Sequence, residues 1–168
     1  MTSPETLRHM VLDLRQMKTF IEDPLVIEKS DGVWYEDVHG RRILDGLSGI
    51  FVVTVGHNNR RVIEAMKKQL DTMAFAPPLH ATNPRAIELV EKLTTVTPED
   101  LNIIKLLSGG SEATEAAMKL ARQYHKQTGN PNKYKVIARY QGYHGATMGA
   151  LSATGTRRRK TMFEPVLP

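Results

Sequence analysis

Apolar and polar positions follow two different periods along the chain, and the switches between them divide it into elements. Leu7, Met10, Val11, Leu14 and Met17 recur at three- and four-residue steps, which predicts an amphipathic helix near the start. Residues 33–37 and 41–44 flank a His39-Gly40 turn and predict a hairpin. Val62, Ile63, Met66, Leu70 and Met73 predict a second helix. Asn83-Pro84 opens a third, which carries Ile87, Val90 and Leu93 and stops near Pro98. Residues 74–83, with Pro77 and Pro78, read as a loop between them.

The pattern changes at residue 103. Residues 103–107 are mostly apolar, as a buried strand would be, and Ser108, Gly109 and Gly110 break the run at once. From Ser111 a helix is expected, with Glu112 and Glu115 near its start and Lys119, Arg122 and Lys126 toward its end, charges that complement the helix dipole. Ala113, Ala116, Ala117, Leu120, Ala121 and Tyr124 share one face, which predicts close packing against a sheet. Residues 135–140 predict a second strand, and Gln141-Gly142-Tyr143-His144-Gly145 a loop at its end.

This strand–glycine–helix junction is suited to an anion. The first N–H groups of a helix have no internal partner, and glycines let the main chain approach a ligand without a Cβ in the way. Gly110 and Ser111 are therefore candidate phosphate ligands, with a plain tight turn as the alternative. A P-loop would need Lys and then Ser or Thr after its last glycine, whereas Gly110 is followed by Ser111 and Glu112. A dinucleotide fingerprint would need a third glycine where Ala113 stands. Ligands of α/β sheets bind outside the carboxyl ends of strands, where both loops would lie. Tyr143, held between Gly142 and Gly145, is a candidate for stacking on a planar ring, with a surface turn as the alternative.

Composition narrows the classes further. The chain has 168 residues, no cysteine, 40% apolar and 24% charged residues, which is an ordinary globular balance and excludes disulfides. Its six histidines make no i, i+4 pair, so no metal site is expected. The net charge of +5 owes much to Arg157, Arg158, Arg159 and Lys160. Without interleaved aromatics these read as a solvated loop, and no nucleic-acid partner is expected. The first ten residues lack a basic-then-apolar leader and no apolar run approaches a membrane span, so no membrane and a cytoplasmic location are expected.

Three ordered blocks together resemble the class III aminotransferases, pyridoxal-phosphate enzymes of fold type I. They are DGVWYEDVHGRRILDGLSGIFVVTVGHNNRRVIEAMKKQ, SGGSEATEAAMKLAR and QGYHGATMGALSATG, and the likeness covers nearly the whole chain. It implies an α/β fold that is incomplete: a small N-terminal α+β lobe, residues 1–56, and the beginning of a large α/β domain, residues 57–168. It implies that Gly110 and Ser111 bind the phosphate of pyridoxal 5′-phosphate, that Tyr143 stacks on its ring, and that Phe51 lines the substrate pocket. Tyr143, where some relatives carry Phe, points toward users of amines and ω-amino acids.

The same likeness exposes a deficit. In the family the Schiff-base lysine, the Asp facing the pyridine nitrogen and the carboxylate-binding Arg come later in the chain. Lys105, Lys119, Lys133 and Lys135 lack that context, so no catalytic residue is assigned, and Pro168 is expected to mark a cut rather than an end. The two expected strands are not neighbours in fold type I and would leave backbone groups unpaired. The function implied for the complete enzyme is transamination from an amine or ω-amino acid to a keto acid such as pyruvate, by a homodimer or larger homo-oligomer. The alternatives are a non-catalytic fragment that binds a phosphate ligand weakly or joins a dimer, and a phosphate-binding domain for another nucleotide.

Overall fold

The computed structural model describes residues 4–166; Leu167 and Pro168, the end of the segment expected to be cut, lie outside the described residues. The chain divides into two compact units, Met1–Thr82 and Asn83–Pro168.

The first unit is built on a three-stranded antiparallel sheet in the order β1-β2-β3. β2, Trp34–Asp37, and β3, Arg42–Leu44, form the expected hairpin. Its turn is tied by Asp37, whose carboxylate is 1% exposed and accepts from the N–H groups of His39 and Arg41 at 2.9 and 2.8 Å. The Arg41 Nε donates to the same carboxylate at 2.5 Å, and Gly40 supplies the positive φ of 76° that the turn requires. β1, Ile27–Asp31, had no apolar alternation to announce it; it pairs with β2 from Ile27↔Asp37 to Asp31↔Trp34, with an irregularity between Ile27 and Lys29.

The single N-terminal helix expected from the apolar spacing is absent. α1, Pro4–Leu7, and α2, Met17–Glu22, are separated by turns, with Leu14 at a φ of 56°. Gln16 restarts the helix by accepting from the Thr19 N–H at 3.0 Å, and Val11 and Leu14 are 90% and 79% exposed. With no surface among the described residues covering these side chains, periodicity alone did not sustain a long helix. α3, Ser48–Phe51, is a single left-handed turn, and α4, Arg60–Thr72, is the expected second helix, opened by Asn59.

The second unit holds α5, Pro84–Thr94, α6, Gly110–Gln127, and α7, Met148–Ala153, followed by two short 3-10 turns. Asn83 caps α5 by accepting from Ala86 N–H at 3.0 Å, with Pro84 in the first turn, as expected. Neither expected strand forms. Residues 103–107 and 135–140 are irregular apart from one parallel bridge between Tyr140 and Gly155, and Ile103 and Ile137 are 95% and 99% exposed. A strand is defined by its partner, and apart from that single bridge these segments have none among the described residues. For the same reason the alanine face of α6 is not buried: Leu120 and Tyr124 stand 65% and 60% exposed. The buried residues of this unit, among those described, are Gly145, Ala150, Leu151 and Thr154, where α7 meets α6 and the loop before it. Among the described residues no helix is long and apolar enough to cross a membrane.

Candidate cofactor site

The N-terminus of α6 presents an open group of donors. Gly109 is the N-cap and no side chain caps the helix; the first intrahelical bond runs from Ala113 N–H to Gly109 C=O at 3.0 Å. The N–H groups of Gly110, Ser111 and Glu112 precede that bond. Nothing lies within 4 Å of where a Cβ on Gly110 would stand, whereas one on Gly109 would lie 2.9 Å from the Glu112 carboxylate.

The Gln141–Gly145 loop closes on the same helix end. Ser111 Oγ accepts from the Ala146 N–H at 2.9 Å across 35 residues of sequence, which leaves the hydroxyl proton available to donate elsewhere. Gly145, at a φ of 134°, makes this approach possible. A Cβ there would lie 2.6 Å from Ala150 Cβ and 2.7 Å from Ser111 Oγ. Thr154, fully buried, ties the other side: its Oγ1 accepts from His144 N–H at 3.0 Å and donates to Ala150 C=O at 3.3 Å.

One turn along α6, Glu115 fixes the start of α7. Its carboxylate accepts from the Thr147 hydroxyl and, at 3.2 Å, from the Gly149 N–H. The Thr147 hydroxyl is the main cause that holds the Glu115 carboxyl below the usual range; burial opposes it, and the Ala150 and Gly149 N–H groups and Lys119 add to the lowering. Sequence reasoning took Glu115 only as a charge near the helix start. Its role as a tertiary cap has no local signature.

Tyr143 is 54% exposed, with the Arg159 guanidinium 4.7 Å from the centroid of its ring. The basic run expected to be only solvated thus puts one side chain on this aromatic. A cleft of about 520 Å³ elsewhere in the unit, lined by Met118, Tyr134, Val136 and Ala153, includes none of Gly110, Ser111 or Tyr143. It opens where α6 and residues 134–136 lack a sheet between them.

Phe51 belongs to the first unit, on the left-handed α3 turn, and is 74% exposed. The turn is held by Asp45, whose side chain is 6% exposed. Burial acts to raise its pKa, but bonds from His57, the Leu47 and Gly49 N–H groups and the Tyr35 hydroxyl outweigh it and lower the value.

The chain belongs to the aminotransferase class-III family, whose profile matches residues 18–168. Over 163 residues it is 43% identical to a probable aminotransferase of Mycobacterium tuberculosis, covering 97% of this chain and 35% of that protein. It is 34% identical over 146 residues to the omega-amino acid–pyruvate aminotransferase of Pseudomonas putida, covering 87% and 32%. The crystal structure of an (S)-enantioselective omega-transaminase from Thermomicrobium roseum superposes with a TM-score of 0.93 at 36% identity, over 98% of this chain and 37% of that one. The chain therefore spans about a third of the length of the relatives it matches. Its fold is part of the fold type I α/β architecture, and pyridoxal 5′-phosphate is the cofactor of the class.

The residues present fit that cofactor. An uncapped helix end with a clear approach at Gly110 and an available Ser111 proton suits a phosphate, and a half-exposed Tyr143 ring with a cation beside it suits a planar heterocycle.

Proposed function

We propose that this chain carries the phosphate cradle and ring-stacking face of a transaminase that moves an amino group from an amine or ω-amino acid to a keto acid such as pyruvate. The observation that supports the reading is the Ser111–Ala146 hydrogen bond, which ties the end of the Gln141–Gly145 loop to the start of α6. In this reading Gly110 and Ser111 offer main-chain N–H groups to the phosphate, Ser111 adds its hydroxyl proton, and Tyr143 orients the ring by stacking. The cofactor, when bound, supplies the electron sink and the amino-group carrier. The second unit's own contribution is to hold it in one orientation; Phe51, in the first unit, keeps by itself the substrate-lining role that the family resemblance implies.

The omega-amino acid–pyruvate relative and the omega-transaminase structure support the substrate class. The working protein is proposed as a cytoplasmic homodimer or larger homo-oligomer, with its small lobe ending near residue 56. Catalysis by the 168 residues alone is not proposed, because no lysine stands in the context the family uses to attach the cofactor.

Absorbance titration with pyridoxal 5′-phosphate tests the cradle in the protein that carries this chain. Ser111→Ala removes a hydroxyl donor to a charged group, expected to weaken cofactor binding about tenfold to a hundredfold. Wild-type affinity in this variant would exclude Ser111 from the site.

A further inference from the structure

Ser48, Gly49, Ile50 and Phe51 have φ values of 51°, 57°, 61° and 68°, and only one of them is glycine. A left-handed turn through a serine, a β-branched isoleucine and a phenylalanine is not a local preference, because each Cβ crowds the carbonyl that follows. The backbone bonds Phe51 N–H to Leu47 C=O and Val52 N–H to Ser48 C=O, each 2.9 Å, close the turn without favouring this hand.

The polar groups beneath it do. Asp45 Oδ2 accepts from the Gly49 N–H at 2.7 Å and Oδ1 from the Leu47 N–H at 3.2 Å, so the carboxylate grips the turn at two points. The same Oδ2 lies 2.7 Å from His57 Nε2. His57 is fixed to the sheet by paired main-chain bonds to Gly32 at 2.7 and 3.2 Å, and its ring lies 4.5 Å from that of Tyr35. Exposure is inverted here: the Asp45 and His57 side chains are 6% and 11% exposed, whereas Ile50 and Phe51 are 72% and 74%. A buried ion-pair-capable couple under an exposed apolar turn is costly unless the turn's conformation is what it secures.

We propose that Asp45 and His57 are positioning residues that hold the Ser48–Phe51 turn left-handed and so fix the direction in which Phe51 meets the amine substrate. The inference rests on the reading of Phe51 as a pocket residue. Asp45 and His57 act through the turn and touch neither substrate nor cofactor.

The test compares Asp45→Asn, His57→Gln and Phe51→Ala in the pyridoxal-phosphate-loaded full-length protein, with a small ω-amino acid and an arylalkylamine as donors. Phe51→Ala is expected to change the ratio of kcat/KM between the two donors about tenfold or more. Asp45→Asn and His57→Gln shift that ratio in the same direction, mainly through KM, and the Phe51→Ala/Asp45→Asn double variant does no more than Phe51→Ala. Amide exchange at Gly49 quickens about tenfold in Asp45→Asn, a readout that activity does not enter. If Phe51→Ala alters selectivity while both polar variants leave selectivity and Gly49 exchange at wild-type values, the positioning role is overturned and the pocket reading stands. If Phe51→Ala leaves the ratio unchanged, the pocket reading falls, and the inference with it. Should Asp45→Asn fail to fold, by far-ultraviolet circular dichroism, His57→Gln carries the comparison with the same outcomes.

Discussion

Two glycines that look equivalent in the sequence do opposite work in the structure. At Gly145 an added methyl group would overlap Ala150 Cβ at 2.6 Å and Ser111 Oγ at 2.7 Å, on a backbone at a φ of 134° that disfavours any side chain. Gly145→Ala is expected to destabilise the second unit by about 1–3 kcal/mol through overpacking, and urea unfolding reads it directly. At Gly110 nothing stands within 4 Å, and the residue opens a right-handed helix. Gly110→Ala should therefore leave stability unchanged or raise it by up to about 1 kcal/mol, since alanine is the better helix former. The same methyl group would stand in the approach to the first N–H groups and weaken phosphate binding. Loss of stability in Gly110→Ala, or wild-type cofactor affinity, would contradict this division of roles.

Between elements, the α6–α7 junction depends on one carboxylate. Glu115 bonds the Thr147 hydroxyl and the start of α7, and its pKa lies below the ordinary glutamate value. A group with a lowered pKa in the folded state stabilises that state fully above its unfolded value and loses the contribution as pH falls through the folded one. Amide exchange at Gly149 and Ala150 should thus be slow near neutral pH and, relative to its intrinsic rate, faster below the usual glutamate range. Glu115→Gln should flatten this dependence, and an unchanged profile would remove Glu115 as the cause. The elements that the sequence made legible were those with local causes: α4 and α5, with Asn59 and Asn83 at their caps, and the Asp37–Arg41 turn between β2 and β3. Residues 103–107 and 135–140 carry the composition of strands, but a ladder needs a second chain segment, and composition cannot supply one. Likewise Gly110, Ser111 and Tyr143 could be singled out by residue type. The Ser111–Ala146 bond, the Glu115 cap and the Asp45–His57 pair join residues 35, 34 and 12 positions apart, and no periodicity reports such distances.

The whole chain exposes 14519 Å², whereas two independent compact domains of half its mass would together expose about 10,000 Å². The difference is several times the largest apolar patch of a typical soluble monomer, roughly 300–600 Å². It is concentrated in residues that belong in a core by type: Ile103, Ile137, Val11 and Leu79 are each at least 79% exposed, and Leu7, Ala150 and Leu151 are the buried hydrophobics among the described residues. Well-formed helices, two of them with asparagine caps, beside strand-like segments with a single bridge describe a chain whose local order exceeds its tertiary order. On the proposed reading, surface of this kind is expected to be covered by further protein, either other segments of a transaminase or a second subunit. The 168 residues by themselves should therefore bind a hydrophobic dye such as ANS, and should sediment as associated species whose size grows with concentration. Both signals should diminish in the full-length protein, where the same residues are enclosed and 103–107 and 135–140 can enter a sheet. A chain that sediments as a dye-silent monomer at every concentration would mean that these segments find partners within it, and the incomplete architecture described here would have to be abandoned.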